Sequence, residues 1–175
     1  MQNTLHPQAH VSVKSTLCEI AWETFREDII QMKKIPKKKE RPGLDRYGRN
    51  DLINAVIDDN IEDIKAILKT KVDINLQDDN GWTALHFAAQ SFNEAVILAL
   101  LKAKANPNLQ NDYGNTPLFV ALFNSQGQKT KIFDQFQKSG ADPKLKNNSD
   151  ISPLDLAETV ANFDLKQYFP KYFPK

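Results

Sequence analysis

The chain has a single cysteine, Cys18, which excludes an internal disulfide and a cysteine-cluster metal site and makes a reducing, cytoplasmic setting the expectation. Long apolar runs are missing as well. No window approaches the roughly 18 consecutive apolar residues of a membrane-spanning helix, and the opening "MQNTLHPQAHVSVKS" has no apolar core of signal-peptide length. Neither membrane spanning nor secretion by that route is expected. Charge of one sign is also lacking: 23 basic against 22 acidic side chains leave a net +1, so no global field draws the molecule onto nucleic acid or an anionic membrane.

Chemistry-bearing constellations are equally scarce. His6 and His10 have helical metal spacing, but "HPQAH" places a proline between them and offers no third ligand. Cys18 lies on an apolar stripe, where burial would raise a thiol's pKa rather than activate it. A G-x-S-x-G elbow and a phosphate-cradling G-x-x-x-x-G-K-S/T loop are both absent. The acidic pairs Asp58–Asp59 and Asp78–Asp79 fall in turns and helix ends, where solvated carboxylates are routine. No catalytic residue, cofactor site or metal ligand is assigned, and an enzyme is not expected.

What is present is a period. The 175 residues suffice for one domain with a small appendage. Gly48, Gly81 and Gly114 recur at intervals of 33, each in a polar turn: "DRYG", "DDNG", "NDYG". The same interval relates Asn75 to Asn108, in "VDINLQ" and "ANPNLQ". Glycine supplies the positive φ such a turn needs, a threonine or asparagine follows that is able to cap a helix, and then come two short apolar runs with helical spacing, such as "TALHFAA" and "AVILALL". Each unit therefore reads as turn, short helix, short helix and return loop.

These residues resemble the ankyrin repeat, whose pattern is D-x-x-G-x-T-P-L-H-x-A-A, a second helix and G-A-D-x-N. Residues 78–110 match best, through Gly81, Thr83, Leu85, His86, Ala88, Ala89, Leu100, Leu101, Ala105 and Asn108. Residues 45–77 keep the length but carry Asn50, Asp51 and Ile53 in place of threonine, proline and histidine. Residues 111–146 keep Gly114, Thr116, Pro117, Leu118, Ala121 and "GAD", with three extra residues within "FNSQGQKTK". Residues 147–175 keep Ser152, Pro153, Leu154 and Ala157, have Asp150 at the glycine position, and end in "YFPKYFPK", as a truncated capping repeat would. The expected fold is an all-α ankyrin-repeat solenoid over 45–175. The resemblance implies that His86 makes hydrogen bonds tying neighbouring repeats together.

Ahead of the repeats, residues 1–15 are expected to be flexible and 16–34 to form an amphipathic helix, with Thr16 and Glu19 as a capping box and Cys18, Trp22, Phe25, Ile29 and Met32 as its apolar stripe. Residues 35–44 form a basic linker, the end of a run with five lysines and one arginine between Lys33 and Arg41.

A repeat stack offers a concave face made of turn tips and the exposed sides of first helices. Register places Arg46, Tyr47 and Arg49 on it from the first repeat, Asp79, Asn80 and Trp82 from the second, and Asp112, Tyr113 and Asn115 from the third; Gln90, Ser91, Phe123 and Asn124 extend it along the first helices. Aromatic and arginine side chains dominate many binding interfaces, so Tyr47, Trp82 and Tyr113 mark a protein-binding face. The expected partner is one protein, with an acidic surface to meet the lysines, and the chain alone is expected to be monomeric. Nucleic acid is disfavoured. The resemblance extends to small bacterial ankyrin proteins that act as immunity proteins against a cognate toxin or effector; a eukaryotic-type nuclear or signalling adaptor, with "PKKKERP" as its localisation signal, is the alternative.

Overall fold

The computed structural model describes residues 41–127, 130–160 and 164–173. The expected helix at 16–34, the segment 1–15 and the linker up to residue 40 lie outside the described residues, as do His6, His10 and Cys18. Among the described residues there are seven α-helices. They pair as α1 (Asp51–Ile57) with α2 (Ile61–Ile67), α3 (Ala84–Gln90) with α4 (Glu94–Lys102), and α5 (Pro117–Asn124) with α6 (Ile132–Lys138); α7 (Pro153–Thr159) precedes a short 3-10 turn, Leu165–Tyr168.

The period seen in the sequence is a period of helix starts. Asn50, Thr83, Thr116 and Ser152 stand at one register position, and each side chain accepts a hydrogen bond from the amide three residues on, at Ile53, His86, Phe119 and Asp155. Each such cap satisfies one of the orphan donors of a helix start and typically contributes about 1 kcal/mol. Pro117 and Pro153 sit in the first turn, where a missing N–H costs nothing. Asn60 and Asn93 cap the second helices α2 and α4 in the same way. The third repeat is the exception, because its three extra residues fall before Lys131, which makes no side-chain cap to α6.

First helices pack in the order α1, α3, α5, α7 and second helices in the order α2, α4, α6. Leu52, Leu85 and Leu118, one repeat apart, are all fully buried, and Ile64, Ile97 and Phe133 form the matching row between second helices. Ala88, Ala89 and Ala121 leave room for neighbouring first helices to approach. No single helix of this length would be stable alone in water; burial of each against the next repeat supplies the stability.

Return loops add a ladder of side-chain bonds. Asn75 Oδ1 accepts from the Asn106 amide at 2.8 Å, and Asn108 Oδ1 accepts from the Asp142 amide at 2.8 Å. Gln77 Nε2 donates across to the Gln110 carbonyl at 2.9 Å, and Gln110 Nε2 donates to the Lys146 carbonyl at 2.9 Å. At the far end, Tyr168 and Phe169 are buried, the Tyr168 ring stacks on Phe133 at 4.1 Å, and Gln137 Nε2 donates to the Tyr168 carbonyl at 2.7 Å. The 3-10 turn thus covers the last helices with half of the "YFPKYFPK" aromatics, while Tyr172 and Phe173 stay half-buried against the core.

Candidate protein-binding face

Four turns carry the face, and their backbones repeat closely. The amides of Gly48, Gly81, Gly114 and Asp150 donate to the carbonyls of Asp45, Asp78, Asn111 and Asn147 at 2.8 to 3.1 Å. The first three have φ between 75° and 80°, and Asp150 adopts the same left-handed region at 61°. At Gly81 a Cβ would come within 2.9 Å of the Asn111 backbone, so the second turn needs glycine for its φ and for its neighbour. Successive tips are then joined by one backbone bond each: Asp79 N to Tyr47 O at 2.9 Å, Asp112 N to Asn80 O at 3.0 Å, and Asn148 N to Tyr113 O at 2.9 Å. The tips form one continuous row.

Within each tip the side chains sort by register. Arg46, Asp112 and Asn148, two before the turn glycine position, point outward, whereas Asp79 at that position buries its side chain; the residue one before (Tyr47, Asn80, Tyr113, Ser149) stays outward or at the rim. The residue after the glycine turns inward. Arg49 is half-buried, while Trp82 is 0%, Asn115 1% and Ile151 6% exposed. The expectation that Trp82 and Asn115 belong to the exposed face is therefore corrected. The chain reverses at the glycine, and the first side chain of the return leg is directed beneath the tip, toward the start of the first helix.

Trp82 packs there on Phe87, with ring centroids 5.1 Å apart, and on His86 at 5.5 Å. Asn115 accepts at Oδ1 from Asn147 Nδ2 at 2.8 Å, and its carbonyl lies 3.0 Å from His86 Nε2. A carbonyl only accepts, so Nε2 carries the proton and Nδ1 is left to accept from the Thr83 amide at 3.1 Å and hydroxyl at 2.9 Å. His86 does tie the second repeat to the third. Burial holds it neutral, its pKa lowered to about 4 against the opposing pull of the Asn115 carbonyl.

The first two tips are built from arginine and aromatic rings. The Arg46 guanidinium lies 4.6 Å from the Tyr47 ring centre and the Arg49 guanidinium 4.7 Å from it, with Arg49 also 5.1 Å from the Phe87 ring. Arg49 Nε stands 3.5 Å from Asp78 Oδ2, and Asp78 accepts the amides of Asn80 and Trp82 at 2.9 Å. Burial raises the Asp78 carboxyl above its ordinary pKa, opposed by those amides and by Arg49. Asp79 is not offered to solvent either: its side chain is 4% exposed and accepts at Oδ1 from an Arg41 terminal nitrogen at 2.7 Å.

Along the first helices, Gln90, Phe123 and Asn124 are half-buried and Ser91 is exposed. The Ser91 hydroxyl turns back to the Phe87 and Ala88 carbonyls, and Asn124 Nδ2 to the Val120 carbonyl. Three contributors went unnoticed in the sequence. Ile57, 42% exposed, is in register with Gln90 and Phe123, and Asn148 with Asp112, so counting in repeats would have found both. Arg41 had no such signal, since its partner is 38 residues away.

Among the described residues no three His, Cys, Asp or Glu side chains converge as a metal site, and no helix is long and apolar enough to cross a membrane. What the geometry defines is a helical repeat solenoid that presents a continuous row of turn tips. The chain belongs to the ankyrin-repeat family: the model for ankyrin repeats (3 copies) matches residues 52–154. Ankyrin repeats form a non-enzymatic binding family, and the repeats imply protein–protein interaction as the class of function. It is 41% identical over 51 residues to the Notch-regulated ankyrin repeat-containing proteins of Xenopus tropicalis and Homo sapiens. Each match covers 29% of this chain and 45% of the relative, so the chain spans less than half the length of these curated relatives.

Proposed function

We propose that the row of tips and the outward sides of α3 and α5 form the concave face that grips one protein partner and blocks it, as an immunity protein blocks a cognate toxin. The supporting observation is the Tyr47 ring, over which two guanidinium groups lie at 4.6 and 4.7 Å from its centre. An aromatic side chain fixed before binding loses little rotamer freedom when a partner covers it, which is how a few residues come to dominate an interface. Arg46, Tyr47, Asn80, Asp112, Tyr113, Gln90, Ser91, Phe123 and Asn124 make up the face, with Arg49 and Asp79 bracing it from behind. Trp82 and Asn115 hold the tips in place.

Co-purification of the tagged full chain from its native host, compared with Tyr47→Ala and Phe123→Ala, tests the face. A partner retained by the parent and lost from both variants supports it, and a partner held equally by all three removes it. Expressing that partner alone should arrest growth and co-expressing this chain should restore it; a harmless partner ends the immunity reading. The five lysines before Arg41, and relatives whose name is Notch-regulated, favour a second reading, a nuclear or signalling adaptor. A reporter fused to residues 30–45 that stays out of the nucleus rules it out.

A further inference from the structure

We infer that Asn80 is a site of spontaneous deamidation, a modification that places a carboxylate, and in part an isoaspartyl linkage, in the middle of the row of tips. Three observations carry it, and none depends on which partner the face grips. The first is the residue that follows. Asparagine is a thermolabile side chain, lost when the next backbone nitrogen closes onto its Cγ, and a glycine, with no Cβ, shields that nitrogen least. Asn80 alone among the asparagines of the chain precedes a glycine. Asn124 and Asn148 precede serine, and Asn54 precedes alanine but lies inside α1, where the following amide belongs to the helix.

The second observation is the freedom of the leaving amide. Nδ2 of Asn124 donates to the Val120 carbonyl and Nδ2 of Asn148 to the Asp112 carbonyl, both at 2.8 Å. Asn80 Nδ2, although turned in under the tip, has no hydrogen-bond partner among the described residues. Buried polar groups are nearly always paired, and here no bond opposes the turning of the amide or the loss of its nitrogen. Asn111 Nδ2 is unpartnered too, but its Oδ1 accepts the Tyr113 and Asn115 amides and the bulkier Asp112 follows it.

The third observation is where Asn80 stands. It lies half-buried at the rim, and the Gly81 amide is tied only to the Asp78 carbonyl, at 3.0 Å. Local opening of the tip, which costs far less than global unfolding, releases that nitrogen. It gives its proton to hydroxide and bonds to Asn80 Cγ; the Cγ–Nδ2 bond breaks, ammonia leaves with a proton from water, and a cyclic imide remains. Water then opens the imide, at Cγ to give aspartate or at the backbone carbonyl to give isoaspartate, whose main chain runs through the side-chain carbon. Either product adds a negative charge beside Asp78 and Asp79, whose carboxylates are already engaged by Arg49 and Arg41. Isoaspartate also displaces the Asn80 carbonyl, which accepts the Asp112 amide at 3.0 Å and joins the second tip to the third.

The test incubates the full chain, folded, in warm and mildly alkaline buffer, digests it, and reads each asparagine peptide by mass spectrometry, with electron-transfer fragmentation to separate aspartyl from isoaspartyl linkages. Acid in place of amide, in both linkages, should accumulate at residue 80 before Asn124 or Asn148 changes. Asn80→Gln, whose longer side chain closes a larger ring more slowly, should abolish the signal in that peptide. A parallel incubation in urea gives the behaviour of the unfolded chain. If residue 80 keeps its amide in the folded chain and converts only in urea, the turn protects it and the inference falls; earlier conversion of Asn124 or Asn148 in the folded chain overturns it as well. The isoaspartyl product, separated by ion exchange, should unfold at a lower urea concentration than Asn80→Asp, which carries the same charge on an unaltered backbone. Equal midpoints would contradict the loss of the bond to Asp112.

Discussion

The second and fourth turns share a backbone and differ in almost every side chain. In Asp78–Trp82 a buried carboxylate accepts the two amides, glycine takes the positive φ and a tryptophan fills the space beneath; in Asn147–Ile151 an asparagine accepts the amides of Ser149 and Ile151, an aspartate takes a φ of 61° and an isoleucine fills the space. Turn geometry is thus held by one oxygen acceptor, one left-handed residue and one inward apolar group, whatever their identities. What the two turns leave outward has no such constraint. Inward positions carry stability and outward positions are free to carry specificity.

The most forceful way to break this division is to empty an inward position. Trp82→Ala should destabilise the fold by about 3–5 kcal/mol, the cost of truncating a fully buried large aromatic, read as a lower urea midpoint. Acid is the next lever. The folded pKa of His86 is about 4, below the 6.5 of an unperturbed histidine, so the unfolded chain binds the extra proton first. The neutral, folded form is fully favoured above pH 6.5 and loses ground as pH falls toward 4, by up to about 3 kcal/mol from this one group. His86→Gln should flatten that part of the pH–stability profile; an unchanged slope would mean that the ring titrates freely.

An outward position should respond in the opposite manner. Tyr47→Ala should leave the unfolding free energy, read from urea denaturation, within about 1 kcal/mol of the parent, the scale of its partly exposed cation–π contacts, and weaken partner binding by about 2 kcal/mol. The smallest effect sharpens the comparison of the two turns directly. Asp150→Gly should raise stability by about 1 kcal/mol, because a side chain in the left-handed region carries a penalty of that order, and its ion pair with Lys146 is too exposed to offset the gain. Differential scanning calorimetry would show it as a small rise in Tm; a fall would mean that the Lys146 contact matters more than the backbone.

Much of the architecture was legible because it is written as a repeat. Turn glycines, the caps Thr83 and Thr116, and the apolar rows each recur at a fixed interval, and local physics at each point agrees with the global fold. Side-chain direction within a tight turn was not legible. The post-glycine residues Arg49, Trp82, Asn115 and Ile151 share no polarity, and a reversal over four residues shows neither the helical nor the strand period from which facing is read. A tryptophan in a polar turn looked like an anchor for a partner when it is an anchor for the turn. Ion pairing of Arg41 with Asp79 was hidden for a different reason: it joins residues 38 apart, and one member sits in a tract whose charge density suggested an address.

The division between holding and binding is tested most directly by calorimetric titration of the co-purified partner into the parent chain and into Tyr47→Ala, both confirmed folded at the titration temperature. About a thirtyfold loss of affinity in the variant, equivalent to about 2 kcal/mol, is the predicted result. Equal affinity would contradict the account, because the ring in contact with Arg46 and Arg49 would then serve only to stiffen the first turn.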